Sequence, residues 1–139
     1  MVAHLELLLN YCNRFYNRQF LTRKTSGNDL LTKVEILLDE YFNGNEILEQ
    51  GLPSVQYFSA KLNVSPNYLS DLLRALTGQN TQQHIHHKLI EKAKLSLTTT
   101  NLSISEIAYQ LGFEHPQSFN KLFKSKTNLT PIAFRALFN

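Results

Sequence analysis

Residues 55–77 read VQYFSAKLNVSPNYLSDLLRALT and residues 104–127 read ISEIAYQLGFEHPQSFNKLFKSKT, and the second stretch repeats the apolar spacing of the first. Val55, Phe58, Ser59, Leu62 and Val64 match Ile104, Ile107, Ala108, Leu111 and Phe113 at an offset of 49. Leu69, Leu72 and Leu73 match Phe119, Leu122 and Phe123 at an offset of 50. Spacings of three and four predict, in each copy, a short helix, a tight turn and a second helix. Neither copy can bury its stripe alone, so both belong to one packed body. Asn63 and Gly112 fall just beyond the apolar residues that end the first helices, and both types accept the left-handed backbone of a sharp helix exit. Ser65-Pro66 supplies a capping oxygen and a proline whose missing N–H costs nothing at the first helical position. His115-Pro116 supplies the proline of the second copy, Ser103-Ile104-Ser105-Glu106 reads as a capping box, and Thr130-Pro131 opens a last short helix.

Outward from the repeat, Gly78-Gln79-Asn80 ends one helix and Thr81 is placed to cap the next. Ile85, Leu89, Ile90, Ala93 and Leu97 make the stripe of a helix over 81–97, roughly 25 Å long at ~1.5 Å per residue. Upstream, Leu30, Val34, Leu37, Leu38 and Tyr41 mark a helix that stops before Asn43-Gly44-Asn45, and Gly51-Leu52-Pro53-Ser54 is a further break. Leu5, Leu8, Leu9, Cys12, Phe15, Tyr16 and Phe20 mark an amphipathic helix over 5–22, closed off by a boundary at Thr25-Ser26-Gly27-Asn28-Asp29. No stretch alternates apolar and polar residues for long, so the fold class is all-α. The chain divides into an N-terminal connecting helix (1–28) and a helical domain (29–139). That domain holds a first helix-turn-helix at about 55–77, a linker helix at 81–97 and a second helix-turn-helix at about 103–127.

At 139 residues the chain is long enough for one compact unit, and 42% hydrophobic with 11% aromatic residues suffices for a core. Its formal charge of +3 is unevenly spread. Residues 1–50 carry five basic and seven acidic side chains, residues 51–139 nine and four, so an anionic partner is expected for the later part. The single cysteine, Cys12, excludes an intrachain disulfide and a thiolate metal cage, and fits a reducing compartment. No apolar run exceeds three residues, as at Leu7-Leu8-Leu9, far below the ~20 that span a bilayer. No membrane association is expected.

The chemistry lies on the outer faces of the second helices. With Leu69, Leu72, Leu73 and Leu76 facing inward, Asn67, Ser70, Asp71 and Arg74 face outward. With Phe119, Leu122 and Phe123 inward, Gln117, Ser118, Asn120, Lys121 and Lys124 face outward. Asn and Gln can pair with adenine, Lys with guanine, Ser with either partner type, and Asp with the cytosine amino group. Two such helices joined by a rod whose length is of the order of one DNA turn, ~34 Å, favour the major groove over an ordinary solvated face. His84, His86 and His87 cluster, but 86 points away from 84 and 87, and no carboxylate or cysteine joins them at ligand spacing; they are read as solvated or phosphate-facing, and no metal or cofactor is expected. The five glycines are too scattered for a phosphate loop and no nucleophile–base pair stands out, so the chain is not read as an enzyme.

The run Ser65-Pro66-Asn67-Tyr68-Leu69-Ser70-Asp71-Leu72-Leu73-Arg74 with Thr77-Gly78 resembles the AraC/XylS family of bacterial transcription regulators. So do Ile107-Ala108-Tyr109-Gln110-Leu111-Gly112-Phe113, Ser118-Phe119-Asn120-Lys121-Leu122-Phe123-Lys124 and Thr130-Pro131-Ile132-Ala133-Phe134-Arg135. The resemblance runs from about residue 30 to 139. It implies about seven helices in which two helix-turn-helix units, bridged by one long helix, read adjacent major-groove segments of double-stranded DNA. Carried over by position, base contacts fall to Asn67, Ser70, Asp71, Gln117, Ser118 and Lys121, and phosphate contacts to Arg74, Lys124, Asn120 and His115. It also implies a cytoplasmic protein, an effector-binding domain preceding the 5–22 helix, and RNA polymerase as a further partner; whether the 5–22 helix pairs in a homodimer or folds back on the domain through Leu8, Phe15 and Phe20 stays open. Asp71 departs from the basic or polar residue often found there, so the second unit should supply more of the salt-dependent affinity. The rival expectation is a helical protein-interaction module.

Overall fold

The computed structural model describes residues 27–138; the 5–22 stretch and Cys12 lie outside the described residues. Among the described residues all regular structure is helical. The helices are α1 (27–43), α2 (Glu46–Gln50), α3 (Val55–Lys61), α4 (Pro66–Thr77), α5 (Thr81–Thr99), α6 (Ile104–Gln110), α7 (Pro116–Thr127) and α8 (Pro131–Leu137). The all-α expectation is met with one helix more than the expected number. The addition is α2, five residues inside a stretch whose Asn, Gly and Pro residues read as turns.

The core is organised by α5. Ile85, Leu89, Ile90, Ala93 and Leu97 are all buried, and α5 packs against α4, α6 and α8. Phe58, Leu69 and Leu73 of the first unit and Ile107, Ala108, Phe113, Phe119 and Phe123 of the second join the same buried cluster. Edge-on or tilted rings run from Phe113 through Phe119 and Phe123 to Phe134 of α8, with centroids 5.4, 5.8 and 5.5 Å apart. On the other side α1 contributes Val34, Leu38 and Tyr41, and Asp39 and Asn43 bind Lys88 and Lys92 of α5.

The two turns share one hydrogen-bond pattern. After α3 the Asn63 N–H donates to the Ala60 carbonyl (3.2 Å) and Val64 N–H to Ser59 (3.0 Å); after α6, Gly112 donates to Tyr109 (3.1 Å) and Phe113 to Ala108 (3.0 Å). These paired bonds close the helix with a left-handed residue, and Asn63 (φ 56°) and Gly112 (φ 92°) occupy it, as their positions in the repeat predict. The second turn is crossed by another piece of chain. A Cβ on Gly112 would lie 2.8 Å from the Gly51 carbonyl carbon and 2.9 Å from the Leu52 nitrogen. That loop is held by Tyr41, whose hydroxyl donates to the Gly51 carbonyl (2.7 Å), while Tyr57 donates to the Glu46 carboxylate and ties α2 to α3. The Glu46 bond, with burial second, pushes the Tyr57 phenol up to about 12.

Three expectations are corrected. Thr81 is not the cap of α5: Asn80 is, its side chain accepting from Gln83 N–H (2.9 Å) while Gln83 Oε1 accepts from Asn80 N–H (2.8 Å). Thr81 is the first helical residue and is buried. Gly27, Asn28 and Asp29, expected as part of a break, are instead helical, and Gly27 packs beneath Leu72 and Leu76 of α4. Those two leucines are consequently half-buried rather than core residues. At the far end Arg135 fastens α8, donating to the carbonyls of Leu97 (3.0 Å), Leu102 (2.6 Å) and Thr100 (3.4 Å).

Gly78 also has positive φ (81°), yet a Cβ there meets nothing within 4 Å. Gly78→Ala should therefore cost about 1–3 kcal/mol of backbone strain, and Gly112→Ala clearly more because Gly51 must move as well. Urea midpoints of the two variants measure the difference; equal losses would show that the loop crossing contributes nothing.

Candidate nucleic-acid interface

Helices α4 and α7 are both twelve residues long, and an offset of 50 superimposes their landmarks. Pro66 and Pro116 open them, Leu69 and Phe119 are fully buried, and so are Leu73 and Phe123. Gly78 and Asn128 close them in the left-handed conformation, each donating its N–H 2.8 Å to the carbonyl of Arg74 or Lys124. Thr77 and Thr127 donate their hydroxyls to the Leu73 and Phe123 carbonyls (2.7 and 2.8 Å). The sole difference in length lies in the turns, which run 62–65 in the first unit and 111–115 in the second. One added residue there shifts the repeat offset from 49 to 50.

With the inner stripes buried, the opposite faces are open. Asn67, Asp71, Arg74, Gln117, Ser118, Asn120, Lys121, Lys124 and His115 are all exposed. Ser70 departs from its expected outward position. It is half-buried and its hydroxyl lies 3.1 Å from Thr81 Oγ1, at the joint between α4 and α5. The inner flank of α4 turns toward the start of α5 at this point, so Ser70 braces the joint. The offset of 50 identifies the residue missed in the sequence: Ser118 is matched by Tyr68, not Ser70. Tyr68 is 55% exposed. Its signal was present in the repeat, but an aromatic ring within an apolar-rich helix reads as core.

Charge separates the faces further. On α4 the carboxylate of Asp71 lies 3.6 Å from the Arg74 guanidinium, both side chains being well exposed. Such a pair adds little to stability, but it occupies the one cation of that face. On α7, Lys121 and Lys124 have no carboxylate within 4.0 Å among the described residues. The helix starts also differ: Ser65 caps α4 by accepting from Tyr68 N–H (3.1 Å), whereas the His115 side chain caps nothing.

The three histidines of α5 each have a partner of their own. His84 Nε2 lies 2.8 Å from Thr77 Oγ1; because that hydroxyl already donates, the imidazole N–H donates to it. His87 Nε2 lies 3.0 Å from Glu91, a carboxylate partner that the sequence reading did not foresee. Among the described residues no three His, Cys, Asp or Glu side chains converge as metal ligands, and no helix is long and apolar enough to cross a membrane.

Two buried-backed helices of one length, each closing a tight turn on a shared linker, define a double helix-turn-helix unit. The helix-turn-helix domain family matches residues 58–137. The chain is 31% identical to "Histidine kinase P4" of Formosa agariphila over 139 residues, covering 94% of this chain and 10% of that protein. It is also similar to the solved C-terminal domain of the two-component response regulator yesN from Fusobacterium nucleatum, with 31% identity, a TM-score of 0.67, and coverage of 77% of this chain and 98% of that one. A third similarity is to the DNA-binding domain of AdpA, a global transcriptional factor solved in complex with a target DNA. There the identity is 26%, the TM-score 0.59 and the coverage 66% of this chain and 85% of that one. This chain belongs to the AraC/XylS family of helix-turn-helix, DNA-binding transcription regulators. It spans 10% to 44% of the length of the first three curated relatives it matches.

Burial holds the His84 imidazole below its ordinary range, and burial together with Lys126 does so for His86. A folded value below the unfolded one means that the neutral form favours folding: the contribution is complete above the unfolded pKa, about 6.5, and is lost as pH falls through the folded one. The urea midpoint should therefore drop between pH 7.5 and 5, and drop less in the His84→Gln/His86→Gln variant. Parallel curves for the two proteins would remove both histidines from the account.

Proposed function

We propose that the chain regulates transcription by laying α4 and α7 into two adjacent major-groove segments on one face of a DNA duplex. The observation that carries this reading is the duplication of α4 and α7 from their opening prolines to their left-handed C-terminal closures, with the polar face of each left open. Base contacts are assigned to Asn67, Asp71, Gln117, Ser118 and Lys121. Tyr68 joins them, its ring suited to a thymine methyl and its hydroxyl to a base edge or phosphate. Ser70 reaches a base only by releasing Thr81.

Arg74, Lys124, Asn120 and His115 are assigned to phosphates, where they fix the register of the helices on the duplex. The uncapped start of α7 supports the placement of His115, since first-turn N–H groups attract a phosphate. Because Asp71 engages Arg74 while Lys121 and Lys124 are unpaired among the described residues, α7 supplies most of the electrostatic attraction. The role assigned is binding, with no reaction of its own, in the cytoplasm where the DNA lies. RNA polymerase as a second partner, an effector bound by a separate domain, and self-association through residues 5–22 complete the proposal.

Lys121→Ala and Lys124→Ala should each lower the slope of log affinity against log salt by about one ion, whereas Asp71→Asn should strengthen binding at low salt. Selection of bound duplexes from a random pool, repeated with Gln117→Ala, tests base readout: a change confined to one or two positions supports it, and a uniform loss refutes it. Affinity indifferent to salt and to competing bulk duplex would transfer the function to a protein partner.

A further inference from the structure

Beyond the two reading helices, a cleft of about 180 Å³ lies between α5 and the C-terminal end of α7. We propose that this cleft binds a phosphate group. Its walls bring together Gln79 from the turn after α4, Gln83, His86, His87 and Lys94 from α5, and Lys126 from α7. No carboxylate lines it, and the nearest one along α5, Glu91, is engaged with His87. The volume is below the roughly 300–1,000 Å³ of sites for drug-sized ligands, so a small tetrahedral anion suits it better than an organic effector.

The donors are available. Gln83 uses its carbonyl oxygen on the Asn80 N–H, which leaves its amide N–H groups to donate. The Gln82 amide donates to His86 Nε2 (2.8 Å), so the neutral His86 ring carries its proton on Nδ1. Lys126 has no carboxylate within 4.0 Å among the described residues. Lys94 lines the cleft, and its ammonium sits 5.7 Å from the centre of the neighbouring Phe134 ring. Ile90 adds an apolar floor that strengthens each charge-assisted bond by excluding water. The depressed proton affinity of His86, set by burial first and Lys126 second, reports the same electropositive, partly dehydrated space. An anion would offset both causes. Because Gln79 follows α4 while Lys126 belongs to α7, the cleft is lined from both helix-turn-helix units.

A phosphate could arrive as a free phosphorylated molecule or as part of a DNA backbone, and NMR of the histidine ring protons in the full chain separates the two. With ring signals assigned from His86→Gln and His87→Gln, inorganic phosphate at pH 7 should shift His86 and His87 saturably, while sodium chloride of equal ionic strength does not. Lys126→Gln should weaken that response about tenfold, the worth of one charge-assisted hydrogen bond. If the phosphate belongs to DNA, a short duplex shifts the same rings and abolishes their response to free phosphate. If it belongs to a small molecule, the DNA-bound protein still titrates with phosphate. A response to neither ligand, or one that Lys126→Gln leaves unchanged, overturns the site. Such a failure leaves DNA reading by α4 and α7 intact, since the salt slopes of the Lys121 and Lys124 variants measure that separately.

Discussion

Everything in the molecule depends on the burial of one stripe of α5. Ile85, Leu89, Ala93 and Leu97 are almost wholly removed from water, and each large aliphatic among them contributes on the order of 1.5–3 kcal/mol. Leu69 and Leu73 on one side and Ile107 and Phe119 on the other join the same cluster, so the separation of α4 and α7 is set by a helix of nineteen residues, about 28 Å at ~1.5 Å per residue. Surface ion pairs such as Asp71–Arg74 are too exposed to set that distance.

Local closure then determines how α4 and α7 leave their turns. The left-handed residues at 63 and 112 close α3 and α6, and Ser65 or Pro116 starts the helix that follows. These features are short-range, and short-range chemistry is what a sequence displays most openly. Asn63, Gly112, the Ser103–Glu106 box and the α5 stripe were all legible as residue types at fixed spacing.

What escaped reading depended on contacts between distant residues. Asn80 and Thr81 are both competent caps; the burial of Thr81 against Ser70, together with the box that Asn80 forms with Gln83, decides between them. The same contact withdrew Ser70 from the outer face. Arg135 could pass for one more cation facing DNA, yet its guanidinium is spent on three carbonyls at the end of α5 and the start of α6. Helix α2 was hidden because Asn45 and Gly51 bracket only five residues, too few for periodicity to register. Tyr68 was visible in the repeat all along, but aromatic character masked its alignment with Ser118.

The passage of the Gly51–Leu52 backbone over Gly112 gives the molecule a second mechanical path. Displacement of α1 is felt by α5 through Asp39 and Asn43, and also by the hinge of the second unit through Tyr41 and the loop it holds. Helix α1 thus meets the two units by different routes: Gly27 lies against Leu72 and Leu76 of α4, while Tyr41 holds the loop that crosses the turn of the second unit. A load on α1 therefore reaches the first unit at the flank of a helix and the second at its turn.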